Sequence, residues 1–582
     1  MTGYGSSDYE PIDGSALAAR VDAAIREMPG LGTRLSLSGL GRHLIGELAD
    51  SDPLRDLAVG LQYRLIANAA SEDRQLFGPF GPFFEGVLES GEPYRMPQDL
   101  GEVSAEVIDV WRLCALEDVH PVVRARLADL LWEVRQGADP HIWALLAVDS
   151  YAAAAGADWE NPIEVRDGLF RALELCLMLN QPNRDGPVLA ALADMAGCSL
   201  DSSNREPGVV VPILEVLAER GEPAAEQLTS EALAVYGDDP WIMESLLEIH
   251  ALFCSPDERE EIWERQVAGF VEQADPAGGM RKHALLRKAA ELAASKGLTA
   301  AHDEIVARIE AIDWEEMGFG TAQFETEVDA EAVDEWVAAI VGDDDLDSAL
   351  ARFGSQIPTG DLDENRAFVE DLAAEHPLQR LLSQQVIGDY NCVLWQVSDL
   401  ESQQEFDLYR YEQQSILFFV QLPGLQALRR IVSRYPTSAE ALTELFTTQL
   451  IEPVVAERIA RSVELWQQGD PDAAVSVLVP RLERVIRNAC HLGGLRVTKQ
   501  ADMSRGMPGG VLGLGALLSS LEGRLGESER RYLRGALVEV TSLNLRNRVA
   551  HGQVDRASDT DYVILFHIAC WLRLLRVSIS EK

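Results

Sequence analysis

Lysine is almost missing from this 582-residue chain, which has only Lys282, Lys288, Lys296, Lys499 and Lys582. Arginine supplies the rest of the 50 basic residues, and 95 acidic residues outweigh them to a net charge of −45. Such a balance excludes a general electrostatic grip on nucleic acid over the whole surface. It suits a GC-rich or salt-adapted prokaryotic genome.

Cysteine is sparse as well. Cys114, Cys176, Cys198, Cys254, Cys392, Cys490 and Cys570 lie far apart with no CxxC spacing, which argues against zinc ribbons and disulfide frameworks and for reduced core thiols in the cytoplasm. No HExxH, paired histidine or carboxylate cluster with ligand spacing is present, so no metal and no cofactor are expected. The opening "MTGYGSSDYEPIDG" has no apolar core and is not expected to act as a signal peptide. The most apolar late stretch, "MPGGVLGLGALLSSL", is too short and too broken by glycine to span a bilayer, so no membrane partner is expected. Alternating β-branched runs bounded by hairpin turns are scarce too.

Helical periodicity is what the chain has in abundance. In "HPVVRARLADLLWEVRQG", Pro121 fits a first turn, Val123, Leu127, Leu130 and Val134 form an apolar stripe, and Gly137 is placed to close the end. Comparable segments run from Pro140 to Gly156, from Asn161 onward, to Gly221 and to Gly237, each between a start and a stop signal. The expected class is all-α, with an irregular α-solenoid-like array followed by a helical bundle.

Five parts are expected: an N-terminal helical segment over 1–100, a helical-hairpin array over 101–313, an acidic junction over 314–365, a helical block over 366–450, and a C-terminal bundle over 451–582. Asp343 to Asp345 lack the spaced oxygens and closing glutamate of a calcium loop and read as a cap or turn. "GGVLGLGALL" imitates a dinucleotide loop, but without a preceding strand it reads as a turn opening a helix.

The C-terminal part is different in charge. Residues 471–582 hold 16 Lys+Arg against 11 Asp+Glu, so the acidic excess lies entirely outside them. Four helices are expected here: Glu452 to Gly469, Pro471 to Gly494, a long one from about Glu527 to His551, and a last one from about Asp559 to Val577. In the third, the stripe of Leu533, Leu537 and Val540 continues as Asn544, Asn547 and His551. Polar groups at the end of a core stripe form either a hydrogen-bond network or a functional site. Arg546 stands about 140° from His551 around an ideal helix.

"RNRVAHG", residues 546–552, resembles the Arg-Asn-x-x-x-His-Gly signature of the HEPN superfamily, helical bundles many of which are metal-independent ribonucleases. More narrowly, it is similar to a family of uncharacterised C-terminal domains with that signature. "VSVLVPRLERVIRNACHLGG" is similar to that family's earlier helix at Leu478, Pro480, Arg481, Glu483 and Arg487. The resemblance covers about residues 450–577, and "VVRARLADLLW" is more distantly similar to the helical region that precedes such domains.

The resemblance implies an endoribonuclease in which the ribose 2′-hydroxyl attacks the adjacent phosphate, with a role in stress response or phage defence. His551 would move the proton, Arg546 would hold the phosphate, and Asn547 would orient His551 or the scissile phosphate, with Asn544, Glu483 and Arg487 in support. It further implies a homodimer through the C-terminal bundle and no metal. Given the acidic charge, the RNA would be a specific one or delivered by a partner, with a protein partner on the helical array. The alternative is a non-enzymatic scaffold whose motif is a structural network, or a nucleotide-binding or antitoxin-like bundle.

Overall fold

The computed structural model describes residues 12–28, 35–48, 52–67, 77–82, 84–87, 93–201, 205–320, 327–378, 384–501 and 508–577. The chain forms two compact units, Met1–Val306 and Ala307–Lys582. The fold class is all-α. Among the described residues, the strands form only two-stranded antiparallel ladders.

In the first unit, helices Gly14–Glu27, Leu37–Glu47 and Pro53–Gly60 lead into two ladders, Arg64–Ala67 with Phe77–Gly81 and Phe84–Val87 with Pro93–Met96. These ladders lie, with the three helices, in the part over 1–100 expected as an N-terminal helical segment. The stretch "FGPFGPFF" explains them: its glycines and prolines disfavour helix, while its aromatics suit a pleated surface. The helices Pro121–Glu133, His141–Ala154, Pro162–Met178, Asp185–Asp201, Pro207–Glu219, Ala224–Tyr236 and Pro240–Ala251 follow, each packing on the next. Their boundaries match the proline, asparagine and glycine punctuation of the sequence.

One end differs. The Pro121–Glu133 helix turns at Arg135, with φ 54°, where Gly137 was expected to close it. The Gln136 amide donates to the Leu131 carbonyl, and the Arg135 guanidinium lies 3.6 Å from the centre of the Trp132 ring. That cation–π contact helps a non-glycine residue tolerate a left-handed conformation.

A charged knot ties three helices of this unit together. Arg171 donates from Nε and Nη2 to both carboxylate oxygens of Asp129, at 3.0 Å each for the shorter pairing, and Tyr151 donates its hydroxyl to Asp129 at 3.0 Å. Glu133 takes a further bond from Arg171. All of Asp129, Tyr151 and Arg171 are buried.

In the second unit a small separate cluster gathers Leu362, Val369 and Leu408, and the main core draws on residues from Val333 to Leu572. Residues 314–365, expected as a junction, supply Val337, Ile340, Leu350 and Phe353 to it. The apolar stripes of helices Ala330–Val341 and Leu346–Gly354 outweigh the acidic and glycine signals around them. Asp345 caps the second of these helices by accepting the Ser348 amide at 2.8 Å, and Asp343 and Asp344 pair with Arg434 and Arg352.

Leu400–Phe419 passes through a π-type turn at Val420–Gly424, which contains Pro423, into Leu425–Arg434. A hairpin, Gln385–Ile387 with Val393–Gln396, precedes it. The Asp559–Leu574 helix is capped by Ser558 and packs against Leu346–Gly354, Pro453–Gln467, Pro471–Leu492 and Leu425–Arg434. Val563, Leu565, Phe566, Ala569 and Leu572 are buried on it, so it is central as its all-round apolarity predicts. A Cβ on Gly354 would meet the backbone of Cys570 and Trp571 at 2.6 and 2.8 Å, so this glycine allows the two helices to approach closely.

Candidate functional site

The long helix expected from Glu527 to His551 is two helices, Glu527–Leu537 and Leu545–Ala550. Between them "VEVTSLN" combines β-branched residues with Thr, Ser and Asn, which favour caps and turns over helix interiors. The returning chain folds over the first helix, where the Gly535 carbonyl accepts the amides of both Leu543 and Asn544. A Cβ on Gly535 would lie 3.1 Å from the Ser542 hydroxyl, a tight fit for this crossing. The continuous stripe from Leu533 to His551 is therefore not formed.

Asn544 is the pivot. It is buried and left-handed, with φ 52° and ψ 31°, a conformation asparagine tolerates better than most residues. Its backbone carbonyl accepts the Arg548 amide and its side-chain Oδ1 accepts from Asn547 Nδ2 at 2.8 Å. Asn547 Oδ1 in turn accepts from Arg546 Nη1 at 2.8 Å. Arg546 Nε donates to Glu483 Oε2 at 2.9 Å, and Glu483 Oε1 accepts from Arg487 Nη2.

Five of the six residues singled out in the sequence thus form one hydrogen-bonded chain: Arg487, Glu483, Arg546, Asn547 and Asn544. It joins the Pro471–Leu492 helix to the short helix. The charged members are partly open, with side-chain exposures of 24% for Arg487, 15% for Glu483 and 26% for Arg546. Arg546 Nη2 has no hydrogen-bond partner among the described residues.

His551 stands apart from this chain. It is exposed, and its ring makes no hydrogen bond or ion pair among the described residues. Its place is nevertheless well defined by backbone. The Gly552 amide donates to the Val549 carbonyl and the Gln553 amide to the Arg548 carbonyl, a Schellman closure with Gly552 at φ 70°. The final Gly of the signature is favoured here, because a side chain disfavours that φ. The loop after it is anchored by the Ala557 amide on Asp472 at 2.9 Å.

Of the stripe expected over Asn544, Asn547 and His551, the structure brings the two asparagines together and leaves His551 apart, because the chain breaks at 538–544 and Asn544 is a left-handed pivot. The β-branched run before Asn544 was the available signal. "GGVLGLGALL" proves to be a two-residue strand, Gly510–Val511, followed by the short helix Leu514–Ser520. Among the described residues, no three His, Cys, Asp or Glu side chains are grouped so as to hold a metal ion, and no helix is long and apolar enough to cross a membrane.

A family model described as a domain of unknown function (DUF7380) matches residues 78–187. That span lies in the first unit, contains Asp129, Tyr151 and Arg171, and does not include residues 546–552. No curated protein and no solved structure matches the chain.

Proposed function

We propose that the chain is a metal-independent RNA endonuclease of the HEPN type that cleaves through the ribose 2′-hydroxyl. The observation that carries this reading is the state of Arg546. It is fixed through Nε and Nη1 by Glu483 and Asn547, keeps Nη2 free, and shares a short helix with an unpaired, exposed histidine.

In the reaction, the 2′-oxygen attacks the adjacent phosphorus and gives its proton to a base, while the 5′-oxygen leaves with a proton from an acid. The products are a 2′,3′-cyclic phosphate and a 5′-hydroxyl. His551 serves as base or acid, since an imidazole ring can both accept and donate a proton through its nitrogens. Arg546 stabilises charge on the non-bridging oxygens with a planar, permanently charged fork. Asn547 and Asn544 hold Arg546 at the right angle, and Glu483 and Arg487 brace it.

Arg546 faces Glu483 while His551 faces solvent, so the two are not joined within one chain. A homodimer through the C-terminal bundle, with each copy completing the other's site, resolves that separation. The net positive charge of residues 471–582 favours RNA there, and the acidic remainder restricts it to a specific or partner-delivered RNA in the cytoplasm, with a protein partner on the helical array. A role in stress response or phage defence accords with a restrained nuclease.

One observation favours a second reading. The residues from Arg487 to Asn544 bond to one another without the help of a substrate, as the members of a structural network in a non-enzymatic scaffold do. Incubating the full protein, His551→Ala and Arg546→Ala with total RNA in EDTA separates the two. Cleavage leaving 2′,3′-cyclic phosphate ends, lost in both variants, supports the nuclease; equal inactivity of all three supports the scaffold.

A further inference from the structure

Two guanidinium groups share one carboxylate in this site. Arg546 Nε and Arg487 Nη2 bind opposite oxygens of Glu483, leaving one positive charge in excess within the hydrogen-bonded chain. Arg487 also has its Nε buried without a hydrogen-bond partner among the described residues. A charged donor stripped of water and left unpaired is costly, and such groups call for a functional account.

The usual grip of arginine on a phosphate is bidentate, through two neighbouring N–H groups. Arg546 has only Nη2 free, because Glu483 holds Nε and Asn547 holds Nη1. A phosphate seeking two donors on Arg546 therefore has to displace one of these. Glu483 is the partner it most strongly opposes, since both carry negative charge.

We propose that Arg487 and Arg546 together form a cradle for one phosphodiester of RNA, with Glu483 as the internal anion that occupies it until the phosphate arrives. This rests on the reading of Arg546 as the phosphate-holding residue, and it makes Arg487 a ligand-binding residue where that reading has it only as a brace. Glu483 keeps the two guanidiniums together in the empty site and swings aside when the substrate binds.

The test uses the full chain and a 2′-O-methylated decanucleotide, which presents phosphates but lacks the attacking hydroxyl. Binding is read by fluorescence anisotropy over a range of salt for the wild type, Glu483→Gln and Arg487→Gln. Removing the competing charge in Glu483→Gln is expected to tighten binding about tenfold. Arg487→Gln is expected to weaken it about tenfold and to lower the salt slope by about one, a change that a merely structural arginine does not produce.

Glu483→Gln binding no tighter than wild type, or Arg487→Gln keeping the wild-type slope, overturns the cradle. If Glu483→Gln does not fold, Glu483→Asp retains the charge but is too short to span both arginines. A few-fold tightening then supports the proposal, and unchanged or weaker binding overturns it. Unmodified RNA is assayed in parallel. Cleavage with no predicted change in binding sinks the cradle and leaves the nuclease; the predicted changes without cleavage do the reverse; no binding by any form sinks both.

Discussion

Arg546 and Glu483, 63 residues apart in sequence, meet at 2.9 Å and join the short helix that bears the RNxxxHG motif to the Pro471–Leu492 helix. The pair separates the two named residues of the proposed reaction by their surroundings. The Arg546 guanidinium is bonded on two sides, whereas the His551 ring is bonded on none among the described residues.

That difference predicts different costs for their removal. His551→Ala should leave the unfolding midpoint within the range of an ordinary surface change, about 0.5 kcal/mol, while cleavage falls by about 100-fold or more. Arg546→Ala should lose cleavage and also about 1–3 kcal/mol of stability, because Glu483 and Asn547 lose a partner. Thermal melts alongside RNA cleavage by the same preparations check both. A His551→Ala protein that melts far below the wild type contradicts the exposed, unpartnered position of the ring.

Gly552 allows a sharper separation of geometry from fold. Its φ of 70° closes the helix directly after His551, and no atom lies within 4 Å of where a Cβ would be. Gly552→Ala therefore strains the backbone without a clash, at about 1–2 kcal/mol. Relief of that strain shifts the adjacent His551, so kcat should fall more than the loss of folded protein explains. Equal cleavage per folded molecule in Gly552→Ala and wild type would show that the exact placement of the ring does not matter.

Most of this site was legible in the sequence because it depends on local chemistry. The pairing of Glu483 with Arg487 follows from an i, i+4 spacing on one helix, and the glycine stop at 552 follows from helix-end rules. The break before Asn544 was not seen, since apolar spacing alone carried Leu533, Leu537 and Val540 into a single stripe and hid the weak helix preference of "VEVTS". The ladders near residues 64–96 carry a local signal in the glycines, prolines and aromatics of "FGPFGPFF". The recruitment of 330–354 into the core of the second unit is decided by which surfaces meet across long separations in the chain, and local composition does not contain that.

Burial of a histidine sets an acid limit on the second unit. His567 lies wholly inside, its Nδ1 2.9 Å from the Tyr532 hydroxyl, and loss of water pushes its imidazole down to about 3. In the unfolded chain the same group takes up a proton near pH 6.5. Between those values the unfolded state binds the proton and the folded state does not, so stability is full above about 6.5 and is lost as pH falls toward 3. The slope is about 1.4 kcal/mol per pH unit at most. Urea titrations from pH 7 to pH 4 should show that loss, and His567→Gln should reduce the slope by up to that amount. An unchanged slope would mean that carboxylates alone govern the acid transition.

The charged knot of the first unit yields the last expectation. Asp129, Tyr151 and Arg171 sit on three successive helices, with burial pushing the Tyr151 hydroxyl well up and the Asp129 charge adding to it. Asp129→Ala takes from the buried Arg171 guanidinium the carboxylate that holds it through two bonds, and the cost should be about 3–5 kcal/mol. Replacing both members by apolar residues, as in Asp129→Leu with Arg171→Met, removes the stranded charge and should recover most of that loss. Denaturant unfolding of the two variants measures the difference. If the double variant is no more stable than Asp129→Ala, the knot contributes through the fit of its side chains across the three helices, and pairing of charge is not what holds them.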